Sequence, residues 1–452
     1  MDLVNLKPAK RFHLRLTKAH LLDLHAQFIE SGAAVGKDGI RVERFGNDID
    51  NEIAIILRKV SSGTYKYTSY REKLISKGAG KNPRQISIPT VRDKLVLKFL
   101  SELLAEIYPE HVSQPPHHYI KRIHRTSAAK PASNYYLRLD IQNFYPSIDH
   151  KILMRILRRT IRQKQLLKLV EDAIKTPTGS HSGSGSVPIT GVPQGLSISN
   201  ILASLYLSEM DKKFETDKSI EYFRFVDDML VLADYSTAKR LSTEIPVLLK
   251  SKRKIKCHPV GSGSKSILVS LAEGIDYLGY HFCQSKIEVR SSSYKKMFSN
   301  LMKLFSAMKY RSNKGPILWR MNLRISGCIF DGRRVGWLFF FAQSNNTQQL
   351  KRLDAFVSQQ AKKVLDPADR ERLKTFTRAY HEIRFNYEDS KYFLNFDQFD
   401  DAQKRAEIGI LLPQKSLEEI ETLEGAELDK LFRKCISKEI GDLEKDMMEV
   451  FS

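Results

Sequence analysis

The stretch Phe223-Arg224-Phe225-Val226-Asp227-Asp228-Met229-Leu230-Val231-Leu232 constrains this chain more than any other. Two apolar, strand-like halves flank a pair of adjacent carboxylates, which reads as a tight hairpin with Asp-Asp at its centre. Adjacent carboxylates repel each other, and their pKa values rise unless a cation lies beside them. Such a hairpin tip is easier to explain with a metal than without one, although a lone Asp-Asp is usually an ordinary turn. A second segment changes that balance. Tyr135-Tyr136-Leu137-Arg138-Leu139-Asp140-Ile141 alternates as a strand and ends in a Pro-containing turn, after which Asp149 can cap a helix. If the strands are neighbours, Asp140, Asp227 and Asp228 converge on one point.

That convergence suits phosphoryl transfer from a nucleoside triphosphate. Two Mg²⁺ ions about 3.5–4 Å apart neutralise the phosphates and activate a 3′-hydroxyl. Mg²⁺ takes a few carboxylates together with water and substrate oxygens. The charge balance agrees: 74 Lys and Arg face 52 Asp and Glu, a net +22 over 452 residues. A field of that sign attracts polyanions, nucleic acid being the commonest. Cys257, Cys283, Cys328 and Cys435 are far apart and form no CxxC pair, so neither a zinc knuckle nor a disulfide framework is indicated. The first residues, MDLVNLKPAKRFHLRL, lack the apolar core of a signal peptide, and the apolar run from Val335 to Ala342 is too short to span a bilayer. A cytoplasmic protein with no membrane partner is expected.

The spacing predicts helices over 17–31, 53–60 and 91–107, with two short strands around a Gly-rich turn in 72–90. The helix after Asp149 carries Ile152, Ile156 and Leu157 on one side, while Lys151, Arg155, Arg158, Arg159 and Arg162 crowd the rest. That basic run is either a solvated face or a nucleic-acid contact, and the sequence does not choose. Residues 179–186, GSHSGSGS, read as a flexible loop. Further helices are expected over 199–214, 295–308 and 350–364. The tail from Leu417 is helical, with an apolar seam of Leu428, Leu431, Cys435, Leu443, Met447 and Val450.

The order of these segments resembles the reverse transcriptases of bacteria, the retron and group II intron branch. Leu139-Asp140-Ile141-Gln142-Asn143-Phe144-Tyr145-Pro146-Ser147-Ile148-Asp149-His150 resembles motif A. Gly191-Val192-Pro193-Gln194-Gly195-Leu196-Ser197 resembles motif B. Phe225-Val226-Asp227-Asp228 resembles the motif C box, with Phe where the family usually has Tyr. Lys254 to Lys265 resembles motif D, with an inserted VGSGS, and Tyr277-Leu278-Gly279-Tyr280 resembles motif E. Gly36-Lys37-Asp38-Gly39-Ile40 and Arg84-Gln85-Ile86-Ser87-Ile88-Pro89-Thr90 resemble the fingers motifs. Seven motifs in order are far more specific than one.

The resemblance implies an α+β right-hand polymerase: fingers over 1–135, a palm with an antiparallel sheet and motifs A to E over 136–290, a helical thumb over 291–365 and a helical C-terminal region over 366–452. It implies that Asp140, Asp227 and Asp228 are catalytic. Asp140, Asp227 and the Ile141 carbonyl would hold two Mg²⁺ ions, or Mn²⁺ in their place, with Asp228 also at the metal site. Lys77 and Arg84 would clasp the triphosphate. Tyr145, beside Phe144 in the dNTP pocket, would lie under the sugar and reject a 2′-hydroxyl. Gln194 would brace nucleotide and template base, Lys265 would give a proton to pyrophosphate, and Leu278 and Gly279 would form the primer grip.

The segment Arg324 to Val357, RISGCIFDGRRVGWLFFFAQSNNTQQLKRLDAFV, looks like the "unknown group" reverse transcriptases tied to phage defence. That resemblance implies an RNA-directed DNA polymerase in antiviral (antiphage) defence, with a structured non-coding RNA, dNTPs, a DNA product and another defence protein as partners. Template-independent or protein-primed synthesis, a retron- or intron-type enzyme, and a catalytically silent RNA-binding scaffold stay open. Tyr119, Tyr135, Tyr136 and the Trp337-Leu338-Phe339-Phe340-Phe341 run, beside Arg333 and Arg334, are candidate RNA-stacking rings, with core packing the simpler role for most. The apolar tail seam should pack on the thumb or on another subunit, and a homo-oligomer is the favoured outcome.

Overall fold

The acids of the expected site come together because of strand register. The structure, a computed structural model, describes residues 6–29, 34–76, 83–179 and 188–447. In it β3 (Tyr135–Asp140) pairs antiparallel with β5 (Asp228–Ala233), and Asp140 stands directly opposite Asp228. Side chains alternate along a strand. Leu137 and Leu139 therefore share one face with Met229, Val231 and Ala233, all buried in a common core. Arg138, Asp140 and Asp228 share the other. The sheet is completed by β4 (Glu221–Phe225) and β6 (Ile267–Ser270), in the order β4-β5-β3-β6.

This sheet lies in the first of two compact units, Met1–Pro115 with Ser133–Ser270. The expected helices are present as α1 (Lys18–Phe28), α2 (Ile49–Ser61) and α3 (Val91–Ile107). Thr17 caps α1 by accepting from the His20 amide, and Thr90 caps α3 through the Asp93 amide. Strands β1 (Arg71–Ile75) and β2 (Arg84–Ile88) pair antiparallel; the turn between them, with Lys77, lies outside the described residues, as does most of the expected Gly-Ser loop.

Asp149 caps α4 (His150–Thr160) through the Ile152 amide at 3.0 Å, as its position suggested. Three more helices follow: α5 (Lys164–Lys175), α6 (Ser199–Glu215) and α7 (Tyr235–Arg253). Helix α7 packs on β3, β5 and β6, and α6 on β4 and α4. Each Leu so buried contributes about 1.5–3 kcal/mol, which fixes the sheet behind the acidic tip.

The second unit comprises Pro116–Ala132 and Leu271–Ser452. It opens with a meander of β7 (Ile275–Tyr277), β8 (Tyr280–Cys283) and β9 (Lys286–Val289). Helices α8 (Ser291–Lys309) and α9 (Gly315–Ser326) follow, then β10 (Cys328–Phe330) and β11 (Arg333–Val335). Beyond these lie α10 (Thr347–Val364), α11 (Phe376–Phe385), β12 (Leu394–Asn395), α12 (Asp401–Leu411) and α13 (Gly425–Met447). Gly327 and Gly336 meet back to back: a Cβ on Gly336 would lie 2.7 Å from the Gly327 Cα, and both have positive φ. That contact turns Trp337 inward, where Trp337, Leu338 and Phe341 are buried. These rings are core, not RNA-stacking surface, and so is Tyr136.

The tail also departs from expectation. Leu428, Phe432, Ile436, Ile440 and Leu443 of α13 are buried against α12 and the small sheet of β10, β11 and β12. The real seam follows the 3.6-residue period through Phe432 and Ile436 rather than through Leu431 and Cys435, which are only partly buried. Arg320 holds Glu439 with two bonds of 2.8 and 2.7 Å, and Arg324 and Asn300 hold Asp446 at 2.7 and 2.8 Å. The chain thus covers this seam with its own α12 and small sheet. Val450 lies outside the described residues.

Candidate active site

The β4–β5 hairpin places Phe225 opposite Asp228, leaving Val226 and Asp227 as its two-residue tip. Val226 has φ +57°, a left-handed conformation that costs a β-branched residue on the order of 1–3 kcal/mol. The tip is fastened to motif A, since the Ile141 amide donates to the Asp227 carbonyl at 3.1 Å. The same tie brings the Asp227 carboxylate near that of Asp140. Burial and then the neighbouring Asp140 charge raise the Asp227 pKa, while Lys265 and Arg84 oppose that rise only in part.

Asp140 itself is 9% exposed. Its amide donates to Ser266 Oγ at 3.0 Å. The Lys265 Nζ stands 3.6 Å and the His258 Nε2 3.3 Å from Asp140 Oδ1. Lys265, the least specific of the sequence candidates, is thus placed at the acids. His258 was not anticipated: a β-bridge between Ile141 and Cys257 delivers it, and only tertiary pairing reveals that.

Asp228 behaves differently from the other two. Both its oxygens are taken by Arg138, from Nε at 2.8 Å and Nη2 at 2.7 Å. Burial still raises its pKa to about 6 against the pull of Arg138. Among the described residues, no three His, Cys, Asp or Glu side chains are arranged to hold a metal by themselves. The donors that do converge are Asp140 and Asp227, with the Ile141 carbonyl next in sequence to Asp140. Two hard carboxylates pressed together, one with its pKa raised by the other, fit a divalent cation completed by water and substrate oxygens.

The nucleotide-side candidates divide in the same way. Tyr145 is half-buried, donates to Asn200 Oδ1 at 2.7 Å, and has its pKa pushed up to about 12 by burial and then by Asp227. It therefore stands at the acids. Phe144 is 2% exposed and packs in the core beside it. Both lie in the short helix Phe144–Ser147 that Asn143 opens at φ +48°. Arg84, at the start of β2, is close enough for its charge to act on both Asp227 and Tyr145.

Motif B is docked on these pieces. The Ser87 amide donates to the Gln194 carbonyl at 2.7 Å, and the Val192 amide to the Tyr145 carbonyl at 2.9 Å. A Cβ on Gly195, at φ +101°, would fall 2.8 Å from Ile86 Cγ2, so only glycine permits the approach. Leu278 and Gly279, both at positive φ, form the two-residue turn between β7 and β8 in the second unit.

Acidic residues at the adjoining ends of antiparallel strands, on a sheet backed by helices, define a polymerase palm. The comparisons with known proteins agree. The family described as "Reverse transcriptase (RNA-dependent DNA polymerase)" matches residues 75–282, and every catalytic, metal, nucleotide and primer-grip candidate lies inside that stretch. The chain carries a reverse-transcriptase domain on a right-hand polymerase fold, with a helical C-terminal region.

The group II intron-encoded protein LtrA of Lactococcus lactis is 25% identical over 45% of this chain and 35% of its own length. The putative COX1/OXI3 intron 1 protein of Saccharomyces cerevisiae is 24% identical over 47% of this chain and 25% of its own. The chain thus spans about a quarter to a third of these relatives. Protein YkfC of Escherichia coli is 22% identical over 66% of this chain and 87% of its own. Among solved structures, telomerase from Candida albicans in complex with a telomeric RNA fragment aligns with 97% of this chain and 75% of its own at 14% identity, TM-score 0.42. No helix among the described residues is long and apolar enough to cross a membrane.

Proposed function

We propose that this chain is an RNA-directed DNA polymerase that works in antiphage defence on a structured non-coding RNA. The meeting of Asp140 and Asp227, ringed by Tyr145, Arg84 and Lys265, carries the reading. Asp140, Asp227 and the Ile141 carbonyl would hold the divalent cations. When bound, the ions would neutralise the triphosphate and lower the pKa of the attacking 3′-hydroxyl.

The chain's own residues supply the rest. The Arg84 guanidinium suits the phosphate oxygens, which it can grip in a fork. Tyr145, held by Asn200, would lie under the sugar of the incoming nucleotide, where a 2′-hydroxyl would collide with its ring. Lys265, 59% exposed yet 3.6 Å from Asp140, can carry a proton between solvent and the site. Arg138 keeps Asp228 fixed, so the hairpin tip cannot swing away from Asp140.

The defence assignment draws support from the likeness of 324–357 to defence-associated enzymes. The +22 charge supports an RNA partner. The test is to isolate the protein from its host, sequence the nucleic acid it carries, and supply dNTPs with Mg²⁺. One dominant structured RNA and a DNA product complementary to it are expected, with phage protection lost in Asp140→Ala. A random sample of cellular RNA, or full protection from Asp140→Ala, would contradict the reading.

A further inference from the structure

We propose that the basic face of α4 is a docking surface for double-stranded RNA, distinct from the site that joins nucleotides. From His150 to Val170 the chain has seven Lys and Arg and no acid. Three of them, Lys151, Arg155 and Arg158, recur at i, i+4 and i+7, a single stripe on α4, and Arg162 follows two residues beyond the helix end. All four are exposed, while Leu153, Met154, Ile156 and Leu157 are buried on the opposite side, so packing fixes which way the stripe looks. Arg158 has only a loose contact to Glu171 at 3.8 Å. Among the described residues no ion pair joins Lys151, Arg155 or Arg162.

A second basic run adjoins the first. Lys250, Lys252, Lys254 and Lys256 are all exposed, and no acid occurs between Ile245 and Ala272. Two contacts make the runs neighbours. Lys254 Nζ reaches the α4 cap Asp149 at 2.6 Å, and Glu209 binds both Arg159 of α4 and Arg253. Like charges at helical spacing cost a few tenths of a kcal/mol per pair, so the fold gains nothing by keeping the stripe unneutralised. A polyanion removes that repulsion.

The chemistry of the surface narrows the polyanion. Neither basic run contains an aromatic residue, so splayed bases have no ring to stack on, as a single strand would require. What is offered is charge at regular intervals, with Lys151 and Arg158 about 10 Å apart along the helix. That pattern meets phosphates of paired strands, the way duplex RNA is held by shape and backbone. The choice of RNA over DNA rests on the proposed copying of a structured RNA, whose paired arms must lie somewhere outside the acidic site.

The experiment uses the full chain and the variant Lys151→Gln/Arg155→Gln/Arg158→Gln/Arg162→Gln. Probes are an RNA duplex of about 16 base pairs, the matching DNA duplex, an unstructured RNA strand, and phosphatidylserine vesicles. RNA-duplex affinity should fall at least ten-fold, with the log–log salt slope reduced by about 3.6 for the four lost phosphate contacts. Single-strand binding and dNTP incorporation on a short primer–template should stay unchanged. A second variant, Arg155→Lys/Arg158→Lys/Arg162→Lys, should keep the wild-type slope and thereby exclude misfolding as the cause. An unaltered duplex affinity and slope would overturn the proposal. So would equal loss of single-strand binding, equal affinity for the DNA duplex, or loss confined to vesicles. Absence of incorporation by the wild-type chain would instead contradict the polymerase reading and leave the slopes to decide this one.

Discussion

At the tip of the four-stranded sheet, Asp227 is pressed beside Asp140 and makes no ion pair among the described residues. On α13, Glu439 is 7% exposed and is gripped at both oxygens by Arg320, and Asp446 by Arg324 and Asn300. Both regions bury acids, which is costly unless the charge is paired. On α13 both of these acids are paired within the chain, and the result is a docked helix. The first region leaves Asp227 without an ion pair among the described residues and holds it on a strained Val226, which is how a fold keeps a place for a cation. Asp228 sits at the sheet tip but is treated as the α13 acids are, by a two-pronged arginine.

The largest expected effect follows from that contrast. Asp227→Asn should lower dNTP incorporation by about three orders of magnitude or more, since cation stabilisation of the transition state is worth several kcal/mol. Its resistance to urea should be unchanged or higher, because a repelled carboxylate is gone. A large loss of stability would place Asp227 with the α13 acids and break the comparison.

Asp228→Asn should do the reverse in proportion. It leaves Arg138 half-buried without its counter-charge, and stability should fall by about 3 kcal/mol. Incorporation should drop far less than in Asp227→Asn. Equal activity losses in the two variants would return Asp228 to the metal ligands. In the second unit, Arg320→Ala should destabilise by about 2 kcal/mol, measured by urea unfolding, and leave the metal dependence of incorporation alone.

A smaller effect concerns sugar choice. Tyr145→Ala should relax discrimination against rNTPs by about ten-fold or more while dNTP use falls less, in side-by-side incorporation assays. Unchanged selectivity in a folded variant would return Tyr145 to the core beside Phe144.

The smallest concerns pH. Burial lowers the Lys374 pKa to about 8, against an ordinary lysine near 10.4. Between those values the unfolded chain binds the proton and the folded one does not, so this group makes stability rise with pH across that window. Below about pH 8 the buried ammonium is a cost. Lys374→Met should therefore be more stable than wild type at pH 7, with the gap closing toward pH 10. A constant gap would show that Lys374 keeps its proton.

The sequence carried the site's components further than its wiring. Strand alternation predicted β3, and flanking apolar runs predicted the β4–β5 hairpin, because those signals are local. The cap residue Asp149 was legible for the same reason. The register of Asp140 on Asp228 is a property of the paired sheet and could only be posed as a condition. Arg138 was in view two residues before Asp140, and period-two spacing places it on the acids' face, yet its grip on Asp228 needed the partner strand. His258 reaches Asp140 through a bridge between distant segments, which no local pattern announces. The tail seam misled because Leu431 and Cys435 look as apolar as Phe432 and Ile436, and only the surface they meet decides between them.

The central claim is that Asp140 and Asp227 form an acidic pair that a divalent cation completes. Thermal unfolding with and without Mg²⁺, in wild type and Asp227→Asn, tests it without any nucleotide or template. Binding to the folded state alone must raise the midpoint as concentration passes the dissociation constant. The midpoint should climb with Mg²⁺ in wild type and stay flat in Asp227→Asn; an equal rise in both, or none in wild type, would contradict the account.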